Sequence, residues 1–173
     1  MSGAAATEVP TGNTFDKYGS QNPVVRRLMS GFHRTLDELW EQAAPSSVLD
    51  VGCGEGVLTV EWAERLGDGR IVGIDLDDPK LRAEWERRQR PNLEFRVEEA
   101  TSLSFDDDEF DTATAIEVLE HVPEPEATLA EMARVARRHL LVSVPREPLW
   151  RMLNMARGAY LRDLGNTPGH LNH

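Results

Sequence analysis

Cysteine is nearly missing from this chain. Cys53 is the only one in 173 residues, so no internal disulfide can form and a reducing compartment is expected. Positive charge is also scarce: 19 Lys and Arg stand against 30 Asp and Glu, a net charge of −11. Such a surface repels phosphate backbones and disfavours nucleic acid as a partner. No apolar run approaches the ~20 residues that cross a bilayer, so no membrane span is expected. The opening "MSGAAATEVPTGN" has neither a basic stretch nor an apolar one and does not read as a secretion signal. Cytoplasmic placement is the expectation. There is no H-E-x-x-H, no cysteine cluster and no other metal-ligand spacing, so no metal is expected. Internal repeats are missing too.

What is present is an alternation of strand and helix. Residues 1–14 read as a polar, disordered leader, and residues 15–44 as a lid segment and helix. That helix has Val25, Leu28, Met29, Phe32, Leu36 and Leu39 on one face and is closed by Pro45. Strands follow at "SVLDVG", "RIVGIDL" (70–76), "LEFRVEE" (93–99), "FDTATAI" (110–116) and "HLLVSVP" (139–145). Helices fall between them, at 57–66 with Leu58, Trp62 and Leu66 on one face, after Pro79 with Leu81 and Trp85, and at 125–137. Asp77 or Asp78 is expected to cap the second of these. A further helix is expected from Pro148 to about Leu164, so that residues 146–173 form a helix and tail on the substrate side. The alternation implies βαβ units and an α/β, doubly wound parallel sheet with helices on both faces, its core spanning residues 45–145. Ligands in such sheets bind beyond the carboxyl ends of the strands, where strand order reverses.

The first strand runs into "VLDVGCGEG", residues 48–56. Glycines permit positive φ and close approach of a ligand to the main chain, and the helix start just beyond offers N–H groups. A dinucleotide loop needs G-x-G-x-x-G, which would put its third glycine at position 57. That position is Val57, and the glycine arrives early, at Gly56. Asp50, two residues before Gly52, would repel a pyrophosphate. It suits a positively charged ligand, or it pins the loop through backbone N–H groups. Asp75 ends the second strand, where a ribose diol can donate both hydroxyls to one carboxylate.

Together, "VLDVGCGEG", "IVGIDLDD", "VEEATSLSFDDDEFDTATAIEVLEHV" and "LAEMARVARRHLLVSVP" resemble the successive motifs of class I S-adenosylmethionine-dependent methyltransferases, in the branch that includes quinone and natural-product enzymes. The resemblance implies a Rossmann-like sheet in the order 3-2-1-4-5, and an enzyme that transfers a methyl group from S-adenosyl-L-methionine to a small-molecule acceptor, leaving S-adenosyl-L-homocysteine. It implies that Asp50, Gly52, Cys53 and Gly54 cradle the methionine part, Asp75 takes the ribose and Leu76 packs on the adenine. Glu99 would accept from the adenine amino group beside Ala100, where the family more often has Asp. Glu117 would face the cofactor and His121 the substrate. The family turns into its fifth strand through a glycine pair, which this chain lacks. It also ends in an antiparallel pair of strands, absent here through His173: either the sheet's edge is completed otherwise, or, as expected, the sequence is truncated or lacks terminal order. A cofactor-binding module without turnover and a nicotinamide-dependent oxidoreductase are the competing functions.

Other residues carry two readings each. His121 is a base for a hydroxyl acceptor or a loop residue bonded to backbone. His170 and His173 lie near the substrate mouth or in a solvated tail. Tyr18 and Asn22 belong to a lid, or Phe15 and Tyr18 anchor the first helix. Trp150, Arg151, Met152, Met155 and Tyr160 line a pocket or simply pack. The acidic run 104–111 and "WERRQR" are expected to be solvated, His33 a surface residue, and His139 a structural residue ahead of the last strand. None of these motifs encodes an oligomeric state.

Overall fold

A computed structural model of the protein describes residues 23–144. In chain order its elements are Pro23–Ala43 (α1), Ser47–Val51 (β1), Val57–Leu66 (α2), Arg70–Asp75 (β2), Pro79–Arg87 (α3), Leu93–Val97 (β3), Phe110–Ile116 (β4), Pro125–Val135 (α4) and Ala136–Ser143 (β5). The five strands form one sheet in the order β3-β2-β1-β4-β5, and every pairing is parallel. This is the expected doubly wound arrangement. The leader, the lid residues Phe15, Tyr18 and Asn22, His170, His173 and the whole segment 146–173 lie outside the described residues.

Period-two alternation along β1 splits the core into two layers. Val48 packs with Leu36 and Trp40 of α1, Trp62 and Ala63 of α2, and Ile71. Leu49 and Val51 point the other way, to Phe105, Phe110 and to Met132 and Val135 of α4. Trp40 and Trp62 stack with ring centroids 5.0 Å apart, fastening α1 to α2. Helical spacing places the α1 stripe one residue away from the expected one at its end. Trp40 is buried there and Leu39 is 40% exposed. On α2 the buried residues are Thr59, Trp62 and Ala63, while Leu58 and Leu66 pack at its margin.

The larger boundary differences from the periodicity lie at the end of β3 and at the passage from α4 to β5. β3 ends at Val97 because Glu98 turns away and its carboxylate accepts from the backbone N–H and hydroxyl of Ser104. α4 ends at Val135, and Ala136, already extended at φ −99° and ψ 117°, begins β5. Helix thus passes into strand within one residue, which is how the chain dispenses with a glycine turn. It also puts His139 inside β5, opposite Thr112.

The acidic run proves to be two different things. Asp106, Asp107 and Asp108 form an exposed turn, as expected. Asp111 does not belong to it: it lies in β4, 3% exposed. Its carboxylate accepts from the Ser46 N–H at 2.9 Å, from the Ser46 hydroxyl and from Arg137. In "WERRQR" Trp85 is buried, while the other five residues are exposed or half-buried.

Candidate functional site

The carboxyl ends of β1, β2 and β4 converge on one place, and the chain spends its unusual backbone there. Gly52, Gly54 and Gly56 have φ values of +71°, +54° and +77°. A Cβ at Gly52 would lie 2.6 Å from Val118, and one at Gly56 would lie 2.5 Å from the Phe95 ring. Both positions therefore require glycine by conformation and by space. Gly54 is different: a Cβ there would meet nothing within 4 Å. Its side of the loop is open. α2 then starts at Gly56 with no side-chain cap and no acid in its first turn.

Asp75 organises that opening. Its carboxylate accepts from the Gly54 N–H at 2.7 Å and from the Leu76 N–H at 2.8 Å. Burial pushes its carboxyl above the usual range, more than these two bonds lower it. Helix capping falls to Asp78, which accepts from the Lys80 N–H at 2.7 Å. The loop's remaining support is main chain: the Gly52 and Cys53 N–H groups both donate to the Ile74 carbonyl, at 2.8 and 3.0 Å.

Asp50 does not pin the loop through backbone N–H groups. It is 3% exposed, and its carboxylate accepts from the hydroxyls of Thr59 and Thr114, at 2.7 and 2.8 Å. In register, Asp50 has Gly73 on one side and Thr114 on the other, with Phe95 opposite Gly73. Burial raises its carboxyl to about 6 against the lowering effect of the two threonines, and the Asp75 charge adds to the rise. Neither threonine forms a motif of its own in the sequence. The only signal they leave is a hydroxyl on an otherwise apolar, buried face. Cys53 lies beneath the same loop, its thiol pushed well up by burial first and then by Asp50 and Asp75.

The remaining residues sit at the rim. Glu99 is exposed, while its neighbour Glu98 is committed to Ser104. Ala100 packs against the core. Glu117 holds a left-handed φ of +59° at the end of β4, a costly conformation for a non-glycine residue and one that clusters at functional sites. Ser143 fixes it there: Glu117 Oε1 accepts from the Ser143 hydroxyl at 3.0 Å, and the Glu117 N–H donates to the Ser143 carbonyl at 3.1 Å. His121 is half-buried in the following turn, its N–H bonded to the Val118 carbonyl and its Nε2 3.9 Å from Glu120 Oε1. The structure thus brings Asp50, Gly52, Cys53, Gly54, Asp75 and Leu76 around one loop. Glu117 and His121 lie on the segment carrying Val118, which packs on Gly52. No group of three metal-ligating side chains occurs among the described residues, and no helix there is long and apolar enough to cross a membrane.

A parallel 3-2-1-4-5 sheet with a glycine loop after β1 and an acid at the tip of β2 defines the Rossmann-like nucleoside-binding class. The methyltransferase-domain family matches residues 49–141, more than half of the chain, and the chain belongs to that family. It is 37% identical over 129 residues to a demethylmenaquinone methyltransferase of Roseiflexus castenholzii, an alignment covering 67% of this chain and 54% of that one. Against a ubiquinone biosynthesis O-methyltransferase of Hahella chejuensis, identity is 36% over 109 residues, covering 59% and 44%. Among solved structures, a SAM-dependent methyltransferase of Methanosarcina mazei superposes with a TM-score of 0.53 at 31% identity, over 67% of this chain and 59% of that one. The chain spans about half the length of the curated relatives it matches.

Proposed function

We propose that this protein is an S-adenosylmethionine-dependent methyltransferase acting on a small-molecule acceptor. One observation carries the reading: the left-handed glycine loop is open at Gly54, and its N–H there meets the Asp75 carboxylate at the tip of the next strand. That hollow fits a nucleoside whose diol replaces or shares the backbone donors on Asp75. The relatives named for demethylmenaquinone and for ubiquinone biosynthesis support a small-molecule acceptor.

Bound in this hollow, S-adenosylmethionine supplies an electrophilic methyl group on a positively charged sulfur. The chain's own residues hold and align it. Asp75 accepts from the ribose, Leu76 packs on the adenine, and Glu99 and the Ala100 N–H read the adenine edge. Asp50 and the peptides of Gly52, Cys53 and Gly54 support the methionine end together with Glu117, and the buried negative charge of Asp50 complements the sulfonium. His121 takes the proton from a hydroxyl acceptor. Aligning the acceptor and excluding water can supply most of the acceleration, since well-oriented groups reach effective molarities of roughly 10⁵ M or more. In this reading residues 45–144 form the cofactor-binding core.

Calorimetry tests it. S-adenosylhomocysteine should bind and NADH should not, and Asp75→Ala should weaken the former by roughly 1–3 kcal/mol. His121→Ala should keep that affinity while lowering turnover of a hydroxyl acceptor on the order of 10²-fold or more. Tight NADH binding without S-adenosylhomocysteine binding would make the protein an oxidoreductase. Cofactor binding with no methyl transfer to phenol, catechol or amine panels would make it a binding module.

A further inference from the structure

The open glycine has a second tether, on a helix that the family motifs do not reach. The Trp85 indole N–H of α3 donates to the Gly54 carbonyl at 2.8 Å, while the Gly54 N–H donates to Asp75. The Cys53 sulfur is 3.8 Å from the same carbonyl. No side chain packs where a Gly54 Cβ would be, so the orientation of this residue depends on its two hydrogen bonds. The indole is itself immobilised. Trp85 is 5% exposed and stacks on Phe95, with centroids 5.3 Å apart and planes within 4°. That Phe95 ring fills the space two glycines leave, 2.5 Å from a Cβ built at Gly56 and 3.0 Å from one at Gly73. Pro79 and the Asp78 cap fix where α3 begins, and hence where its seventh residue lands.

We propose that Trp85 is a positioning residue for ligand binding: its indole N–H holds the Gly54 carbonyl and so aims the loop into the hollow. The inference rests on the reading of this loop as the cofactor's seat. A ribose that engages Asp75 competes with the Gly54 N–H for that carboxylate, whereas the indole bond is untouched. Trp85 is then the partner that keeps Gly54 in place while the ligand enters.

The test compares the wild-type chain with Trp85→Phe and with benzothienylalanine at position 85, which keeps the bicyclic ring but replaces N–H by sulfur. Affinity for S-adenosylhomocysteine is measured by calorimetry, amide exchange of residues 53–56 by NMR, and melting temperature in parallel. Both variants should raise Kd roughly three- to tenfold and speed exchange in the loop, with the benzothienyl protein melting at the wild-type temperature. Unchanged Kd in the benzothienyl protein, whatever its exchange or melting, makes Trp85 a packing residue and overturns the proposal. A wild-type chain that binds no S-adenosylhomocysteine overturns the functional reading first, and this one with it.

Discussion

Asp50 is the residue at which stability opposes the ligand binding proposed above. Its carboxyl titrates at about 6 in the folded protein against an ordinary 3.8, so between these values the folded state holds a proton that the unfolded chain has released. Folding stability therefore falls as pH rises from about 4 to 6, by ~3 kcal/mol, and stays at the lower level above. On the proposed reading, a cationic ligand over the loop would offset this cost. Asp50→Asn should remove the slope: urea unfolding across this range should show a flatter curve than wild type, with stability at pH 7.5 no lower. Its affinity for S-adenosylmethionine should fall. An undiminished slope would place the titration on another group. Such a site departs from what stability alone would select, which is a common mark of function.

Elements are tied together at the opposite end of the sheet. Asp111, at the start of β4, accepts from Ser46 just ahead of β1 and from Arg137 in β5, and its own N–H donates to the Ser47 hydroxyl at 2.9 Å. The Ser46 hydroxyl above all holds its carboxyl down, to about 2. A lowered carboxyl stabilises the fold above its ordinary range and loses that contribution as pH falls from about 4 toward 2. Asp111→Ala should cost about 1–3 kcal/mol, read as a lower melting temperature. Kd for S-adenosylhomocysteine should stay at the wild-type value, because this knot lies at the amino ends of the strands. A raised Kd would show that the two ends are coupled. Position in the sheet is what separates Asp111 from the solvated Asp106–Asp108 turn. A run of like charges in sequence hides it, since burial depends on what Ser46 and Arg137 bring from 65 and 26 residues away.

At the scale of the molecule, a net charge of −11 favours a cationic ligand over a neutral one. S-adenosylmethionine and S-adenosylhomocysteine differ by that charge, so Kd for the former should rise more steeply between low salt and about 0.5 M. Equal salt dependence would mean that short-range contacts alone set the preference. All-parallel pairing and most element limits were legible because βαβ alternation leaves few topologies open, whereas the strand order followed from the family resemblance. The loop was legible because no residue but glycine tolerates those φ values beside Val118 and Phe95. The end of α4 is not legible, because a helix that enters a strand without a glycine leaves no stop signal.

Local chemistry in the chain determined the strands, the glycine turn, the acid at the strand tip and a cap at Asp77 or Asp78, because each depends on neighbours within a few residues. Tertiary structure alone decided the partners. Thr59 and Thr114 seal Asp50, Ser46 and Arg137 claim Asp111, and Trp85 reaches Gly54 across 31 residues. Hydrogen bonds and burial are set by proximity in space, and sequence separation carries no record of it.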